Sequence, residues 1–389
     1  FMVTYQRFDG DEPPRYATLL KAEARFIRAW FYFQMVERYG GVTLVGDKVY
    51  DIEDELELPR NSFEECVTYI VNELDAVKDS LYEVPIPSPT VNAHRPTKQA
   101  AQALKSRVLL YAASPRNNPD NSVEKWKRAA AAAHEVIECR KDIFARGFGF
   151  GEDAKTFPDY KMPVNRDYNK YFLSNNATKD VESIFLIRQA VGNSPESLNY
   201  PVGTRGGHSG VCPTQNLVDA YEWIGPKTPN QYENRDPRMA ATIVYNGSSW
   251  NGVNDFDQSP KGQFSQKANG ASKTGYYLRK FLATNLNLIE GGKTDHIWVA
   301  YRYAEVLLNY AEAMNEAYGP DSDPAGYGMT AREALTEVRN SASTSLPAVT
   351  ASSKVDFRKA VKAERRVELA FEDHRYWDLI RWKDAESVL

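Results

Sequence analysis

The stretch ERRVELAFEDHRYWDLIRW, Glu364 to Trp382, places the tightest limit on what this chain can fold into. It has no Gly or Pro and is rich in Glu, Arg, Leu and Ala, so it reads as one continuous helix. Its charges fall at helical-neighbour spacings: Arg365 with Glu368, Glu372 with Arg375, Arg375 with Asp378, Asp378 with Arg381. Val367, Leu369, Phe371, Tyr376, Trp377, Leu379, Ile380 and Trp382 fill the remaining sides. A helix apolar almost all round is buried. Its arginines and carboxylates must then satisfy one another inside the fold, because a buried unpaired charge costs several kcal/mol.

Glu368 and Glu372 stand one turn apart with His374 beside them, which suggests acid–base catalysis or a di-metal bundle. Two features argue instead for a structural ion-pair lattice. An arginine three residues along lowers a carboxylate pKa rather than raising it for proton donation. A di-metal bundle also needs Glu-x-x-His on facing helices, whereas Glu372 and His374 are separated by one residue.

A chain of 389 residues can bury a large core. Its net charge of −4 gives no electrostatic footprint for nucleic acid. No apolar run is long enough to span a bilayer. Cys66, Cys139 and Cys212 are too few and too scattered for a disulfide framework or a metal knuckle, and read as small buried hydrophobes. The chain opens on Phe1 inside what reads as an ongoing segment and stops at DAESVL, just past a helix. Both ends of the natural protein, any signal peptide included, are therefore expected to lie outside this sequence.

Helix signals dominate residues 1–140. A helix is expected from a Thr18 cap to Gly40-Gly41, and a capping box of Ser62 and Glu65 starts a second running to about Tyr82. Thr97 and Ser122 cap two more, both with alanines at close-packing positions. The acidic run DIEDELELPR reads as a solvated loop rather than a calcium site. Residues 141–296 change character: Gly, Pro, Asn, Asp and Ser dominate, with short strand-like pieces in ESIFLIRQ and ATIVYNG. Residues 297–389 return to helix, beginning with IWVAYRYAEVLLNYAEAMNEAYGP as one amphipathic helix. Thr330 and Glu333 form a second capping box. The pattern predicts a mainly α fold of stacked helical hairpins at both ends, forming one integrated unit with a loop-rich insertion that carries function.

Catalytic motifs are wanting. GGHSG fails as a nucleophile elbow because Val211 stands where Gly is needed. GFGFG, Gly147 to Gly151, follows a helix rather than a strand, against a dinucleotide loop. The five histidines form no HExxH, and there is no P-loop. What remains is a set of loop residues: Tyr200, Arg205, His208, Trp223, Trp250 and Asn251. Aromatic faces with hydrogen-bonding neighbours suit a polar ligand with an apolar face, such as a sugar ring. Trp250 leads, because SSWNGVND is too polar a setting to bury an indole. It is expected to be a solvent-accessible stacking platform, with Asn251 and Arg205 or His208 bonding hydroxyls.

Seven stretches, in order, resemble the SusD/RagB family of bacterial outer-membrane nutrient-binding lipoproteins. They are AEARFIRAWFYFQMVERYGGVTLV, TKQAAQALKSRVLLYAASP, PTQNLVDAYEW, YENRDPRMAATIVYNG, TGYYLRKF, RYAEVLLNYAEAMNE and ERRVELAFEDHRYWDLIRW. The resemblance implies a tetratricopeptide-like scaffold, tethering to the cell surface by a lipidated cysteine, and delivery of oligosaccharide or polysaccharide to a SusC-like TonB-dependent transporter. It implies binding without cleavage. The lipidated cysteine and the family's usual C-terminal tail are absent from this sequence. Binding aromatics differ among members, so none is carried over. No cofactor is expected; calcium is left open, with no motif that indicates it. Two other readings compete: a glycoside hydrolase using Asp255 or Asp257, and a peptide-binding helical-repeat scaffold with a charged groove.

Overall fold

The computed structural model describes residues 13–55, 57–83, 94–145, 167–340 and 345–388. The PIPSPT connector and the GFGFG glycines lie outside them. Four helices come first: α1 (Pro13–Tyr39), α2 (Phe63–Val77), α3 (Lys98–Ala113) and α4 (Val123–Ala145), each packed on the next. Helix α1 begins at Pro13 rather than after Thr18, since proline's fixed φ suits a first turn. Two of the expected caps are formed: Ser62 and Glu65 make a reciprocal box, and Thr97 accepts the Ala100 N–H at 3.2 Å.

The middle of the chain is mostly loop, interrupted by short elements. They are α5 (Tyr168–Tyr171), β1 (Ser183–Arg188), α6 (Ser194–Asn199), α7 (Gln215–Ala220), α8 (Pro237–Thr242), β2 (Ile243–Val244) and β3 (Tyr277–Leu278). Strand β4 (Ile297–Arg302) returns to pair antiparallel with β1, setting Val299 opposite Leu186 and Trp298 opposite Ile187. This corrects the single helix expected from residue 297. Ile-Trp-Val are β-branched and aromatic, and strand geometry holds until Arg302.

Helix then runs through α9 (Tyr303–Tyr318), α10 (Ala331–Arg339) and α11 (Lys354–Glu368). Helix α9 packs on α4, so the end of the chain extends the stack begun at its start. One hydrophobic core runs through both, from Phe26 and Phe33 through Leu104 and Trp126 to Leu307, Met314 and Leu335. The capping box of Thr330 and Glu333 starts α10, and Gly319 ends α9 at φ 94°.

The terminal stretch is not one helix, and it is buried as expected only in its first half: beyond His374, Asp378, Arg381 and Trp382 are buried, while Tyr376 is exposed and Trp377, Leu379 and Ile380 are half-buried. Helix α11 stops at Glu368, and α12 (Arg375–Trp382) starts after an interruption in which Phe371 and Asp373 take left-handed φ of 63° and 62°. The break frees backbone carbonyls that an unbroken helix would use. The Glu368 carbonyl accepts from the Tyr168 hydroxyl (2.9 Å) and Arg302 (3.0 Å), and the Ala370 carbonyl accepts from Lys280 (2.9 Å). Local propensity is a weak prior against such tertiary partners. Of the four expected charge pairs, Asp378–Arg381 alone forms among the described residues. Arg365 pairs with Asp378 instead, while Glu368 and Glu372 reach cations from other parts of the chain.

Candidate functional site

The β2–β3 ribbon separates two of the apolar clusters of the loop-rich region. Alternating side chains point to opposite faces of a strand. Val244 and Tyr277 therefore enter one cluster, and Ile243 and Tyr276 the other.

The first cluster holds Tyr200, Trp250, Phe256, Phe264 and Leu282. Trp250 is 1% exposed, and its ring meets that of Tyr200 edge-on at 5.2 Å and 89°. Its indole N–H donates to Thr204 Oγ1 at 3.2 Å. The expectation of an exposed platform at Trp250 is thus corrected. Trp250 and Val253 exchange both backbone hydrogen bonds at 2.8 Å around Asn251-Gly252, whose φ angles are 49° and 82°. This is an Asn-Gly hairpin turn of type I′, and it turns the indole inward. The apolar partners that bury it come from distant loops, which the local polarity of SSWNGVND concealed. Tyr200 is also fully buried, its hydroxyl bonded to the Ala283 carbonyl. Asn251 is half-buried, and its side-chain oxygen accepts the Asn285 N–H.

Arg205 and His208 lie exposed on the loop above this cluster. His208 Nδ1 hydrogen-bonds the Ser197 carbonyl at 2.9 Å. Five of the six anticipated residues thus fall in one neighbourhood, three as its packed floor and two as its exposed rim. Trp223 belongs to the other side of the ribbon. It is half-buried, with the Arg235 guanidinium 4.8 Å and the Lys227 ammonium 5.7 Å from its ring centroid. Near it, Tyr232 and Tyr245 stack at 4.2 Å, both half-buried. Tyr276 meets Tyr232 edge-on and donates its hydroxyl to Gln215 at 2.7 Å. Tyr232 and Tyr245 escaped the sequence reading, although both sit in the turn-rich YENRDPRMAATIVYNG.

Beneath both loop surfaces lies the charge lattice. Arg302 binds Glu182, Glu368 and Glu372 at 2.6–2.7 Å, while Arg238 holds Asp236, Glu364 and Glu368. Burial alone would raise the Glu368 carboxyl, but Arg302 and Arg238 overcome it and hold it at about 2. Lys280, buried beside Glu372, is pushed down to about 8. His374 is driven well below its usual range by burial and by Arg107 and Arg365. A carboxylate as firmly ionised as Glu368 is a poor proton donor, whereas burial raises the Glu182 carboxyl to about 7 despite Arg302; together these pairs tie β1, β4 and α11 to one another.

A cavity of about 360 Å³ opens on the helical side, between Pro115, Trp126, Glu316, Arg358, Lys362 and Trp382. Its charges are already matched, Arg358 with Glu316 and Lys362 with Asp384. No cluster of His, Cys, Asp and Glu among the described residues could hold a metal ion. No helix among them is long and apolar enough to cross a membrane.

The SusD family pattern matches residues 169–389, and a second, described as starch-binding associating with outer membrane, matches residues 8–110. SusD-like protein P38 of Formosa agariphila is 23% identical over 390 residues, covering 97% of this chain and 69% of that protein. SusD-like protein P2 of the same organism is 22% identical, covering 94% of this chain and 66% of its own length. The chain thus spans about two thirds of these relatives. Among solved structures, a SusD-like carbohydrate binding protein from Bacteroides fragilis is 28% identical with a TM-score of 0.77, covering 100% of this chain and 71% of that one. A second SusD-like protein from that organism is 29% identical with a TM-score of 0.73, covering 96% and 70%.

Proposed function

The chain belongs to the SusD family, and from that we propose that it is a cell-surface glycan-binding protein serving a TonB-dependent transporter. In this reading it captures oligosaccharide or polysaccharide outside the cell and passes it to the transporter, held to the outer membrane by a lipid anchor. Membership of the family is the observation that carries the reading, reinforced by the similar carbohydrate binding protein of Bacteroides fragilis.

The geometry supports a division of labour. Trp223, Tyr232 and Tyr245 are half-exposed rings of the loop region and supply apolar faces for stacking on a pyranose. Gln215 and Asp219, bonded to each other at 2.8 Å beside them, supply hydrogen-bonding groups for hydroxyls. Trp250 and Tyr200 act from below, fixing the loop that presents Arg205 and His208.

Binding without cleavage is the better reading of the loop carboxylates. A glycosidase needs a carboxylic acid whose pKa is raised, opposite a second carboxylate. Asp257 instead accepts the Ser259 N–H at 2.8 Å, and that bond holds its carboxyl below the usual range.

The test is a glycan array followed by calorimetry, with a reducing-end assay on every glycan that binds. Affinity with no new reducing ends is the expected result. Release of reducing ends would replace the reading with a hydrolase, and absence of any glycan affinity would remove it.

A further inference from the structure

The acidic chain, of net charge −4, carries two long intervals with no aspartate or glutamate, 84–119 and 258–289. The second lies on the loop surface above Trp250 and contains Lys261, Lys267, Lys273, Arg279 and Lys280.

Two of the five are committed to structure. Lys280 is buried against Glu372, and Arg279 donates to the Ser249 carbonyl. The other three, Lys261, Lys267 and Lys273, are exposed and form no ion pair among the described residues. In the other interval, by contrast, Arg95, Lys98, Lys105 and Arg107 each meet a carboxylate. Asp257 lies against Gly262 and partly offsets Lys261.

Arg205 joins them from a second loop. A Cβ at Gly203 would fall 2.4 Å from the Gln263 carbonyl oxygen, and one at Gly270 would meet Val202 at 3.5 Å. Gln263 also donates to the Gly203 carbonyl at 3.1 Å. The loops bearing Arg205 and Lys267 are therefore packed side by side, and both rest on the stack of Phe256 and Phe264. Cations without an ion-pair partner raise the local concentration of anions and hold them by charge-assisted hydrogen bonds.

We infer that the glycan bound by this protein is anionic, a polysaccharide bearing carboxylate or sulfate groups, and that Arg205, Lys267 and Lys273 engage those groups. This rests on the glycan-binding reading above and narrows it to a substrate class. The test compares wild type with the triple variant Arg205→Ala, Lys267→Ala, Lys273→Ala against polygalacturonate, dextran sulfate, neutral dextran and starch, and vesicles of phosphatidylglycerol. Wild type is expected to bind one of the two acidic polymers at least tenfold tighter than either neutral one. That preference should shrink between 50 and 500 mM salt and vanish in the variant, with unchanged melting.

Preference for the carboxylated or for the sulfated polymer assigns the group. Equal binding of neutral and acidic polymers, or a variant that keeps the preference, overturns the inference and leaves glycan binding standing. Binding to vesicles alone, or to none of the probes, overturns the inference; failure on a glycan array as well removes the glycan reading itself.

Discussion

Arg302 donates from Nη1 to the Glu368 carboxylate at 2.7 Å, joining the end of strand β4 to the end of helix α11. The same guanidinium reaches Glu182 and Glu372, so one side chain closes the loop region onto the C-terminal helices. Removing one member of a buried charge cluster strands the rest. Arg302→Met should therefore cost about 3–5 kcal/mol of stability in urea unfolding. Arg375→Ala, which the sequence pattern alone would rank as equally damaging, should cost under about 1 kcal/mol. Arg375 is half-buried and bonds neither Glu372 nor Asp378. Equal losses in the two variants would contradict this lattice.

Trp250 and Trp223 should separate stability from binding. Trp250→Ala empties part of a packed aromatic cluster and should lower stability by about 3–5 kcal/mol. Trp223→Ala removes a half-exposed ring and should leave the melting temperature within a few degrees, while weakening glycan affinity about tenfold. Calorimetry and thermal melts on both variants make the comparison. A destabilised Trp223→Ala with normal affinity would reassign Trp223 to the loop core.

Glu337 on α10 predicts a pH effect. Burial pushes its carboxyl up to about 7, against the pull of Lys141 and Arg140, from an unperturbed 4.5. Between those two values the folded protein keeps a proton that the unfolded chain has released. Its contribution to stability therefore falls as pH rises through this window, and the full cost is present above it. Glu337→Gln should accordingly raise stability by about 1–3 kcal/mol at pH 8 and leave it nearly unchanged at pH 4. Denaturant titrations at the two pH values check this. A gain of equal size at both would mean that the carboxyl does not titrate there.

Much of the helical scaffold could be read from residue patterns, because its signals are local. The boxes at Ser62–Glu65 and Thr330–Glu333, the Thr97 cap and the Gly319 stop each act within one turn of chain. The burial of the terminal stretch was legible only as far as His374; beyond it Tyr376 faces solvent and the charged Asp378 and Arg381 face the core. The partners of its charges were not legible. Glu368 meets Arg238 and Arg302, which are remote in sequence, and i to i+3 spacing carries no information about them. The loop surface suffered from the same blindness. Polar neighbours of Trp250 in the chain are not its neighbours in space, where Tyr200 and Phe264 close over it. The Asn251-Gly252 turn was the one local clue to its direction. Tyr232 and Tyr245 become a pair only when the chain brings them together, so no single window could have nominated them.

The interruption between α11 and α12 also governs where this chain tolerates changes of length. An inserted or deleted residue between Glu368 and Arg375 would change the reach of this link and displace α12 relative to α11 by up to about 3.5 Å. Asp378 and Arg381 would then shift away from Arg365 and Glu312, their buried partners. Loops such as the one bearing Lys267 meet no such constraint, because an added residue there displaces only the loop itself. Diversification of this scaffold toward new ligands can proceed by insertion around the β2–β3 ribbon, while the short span from Glu368 to Arg375 must keep its register.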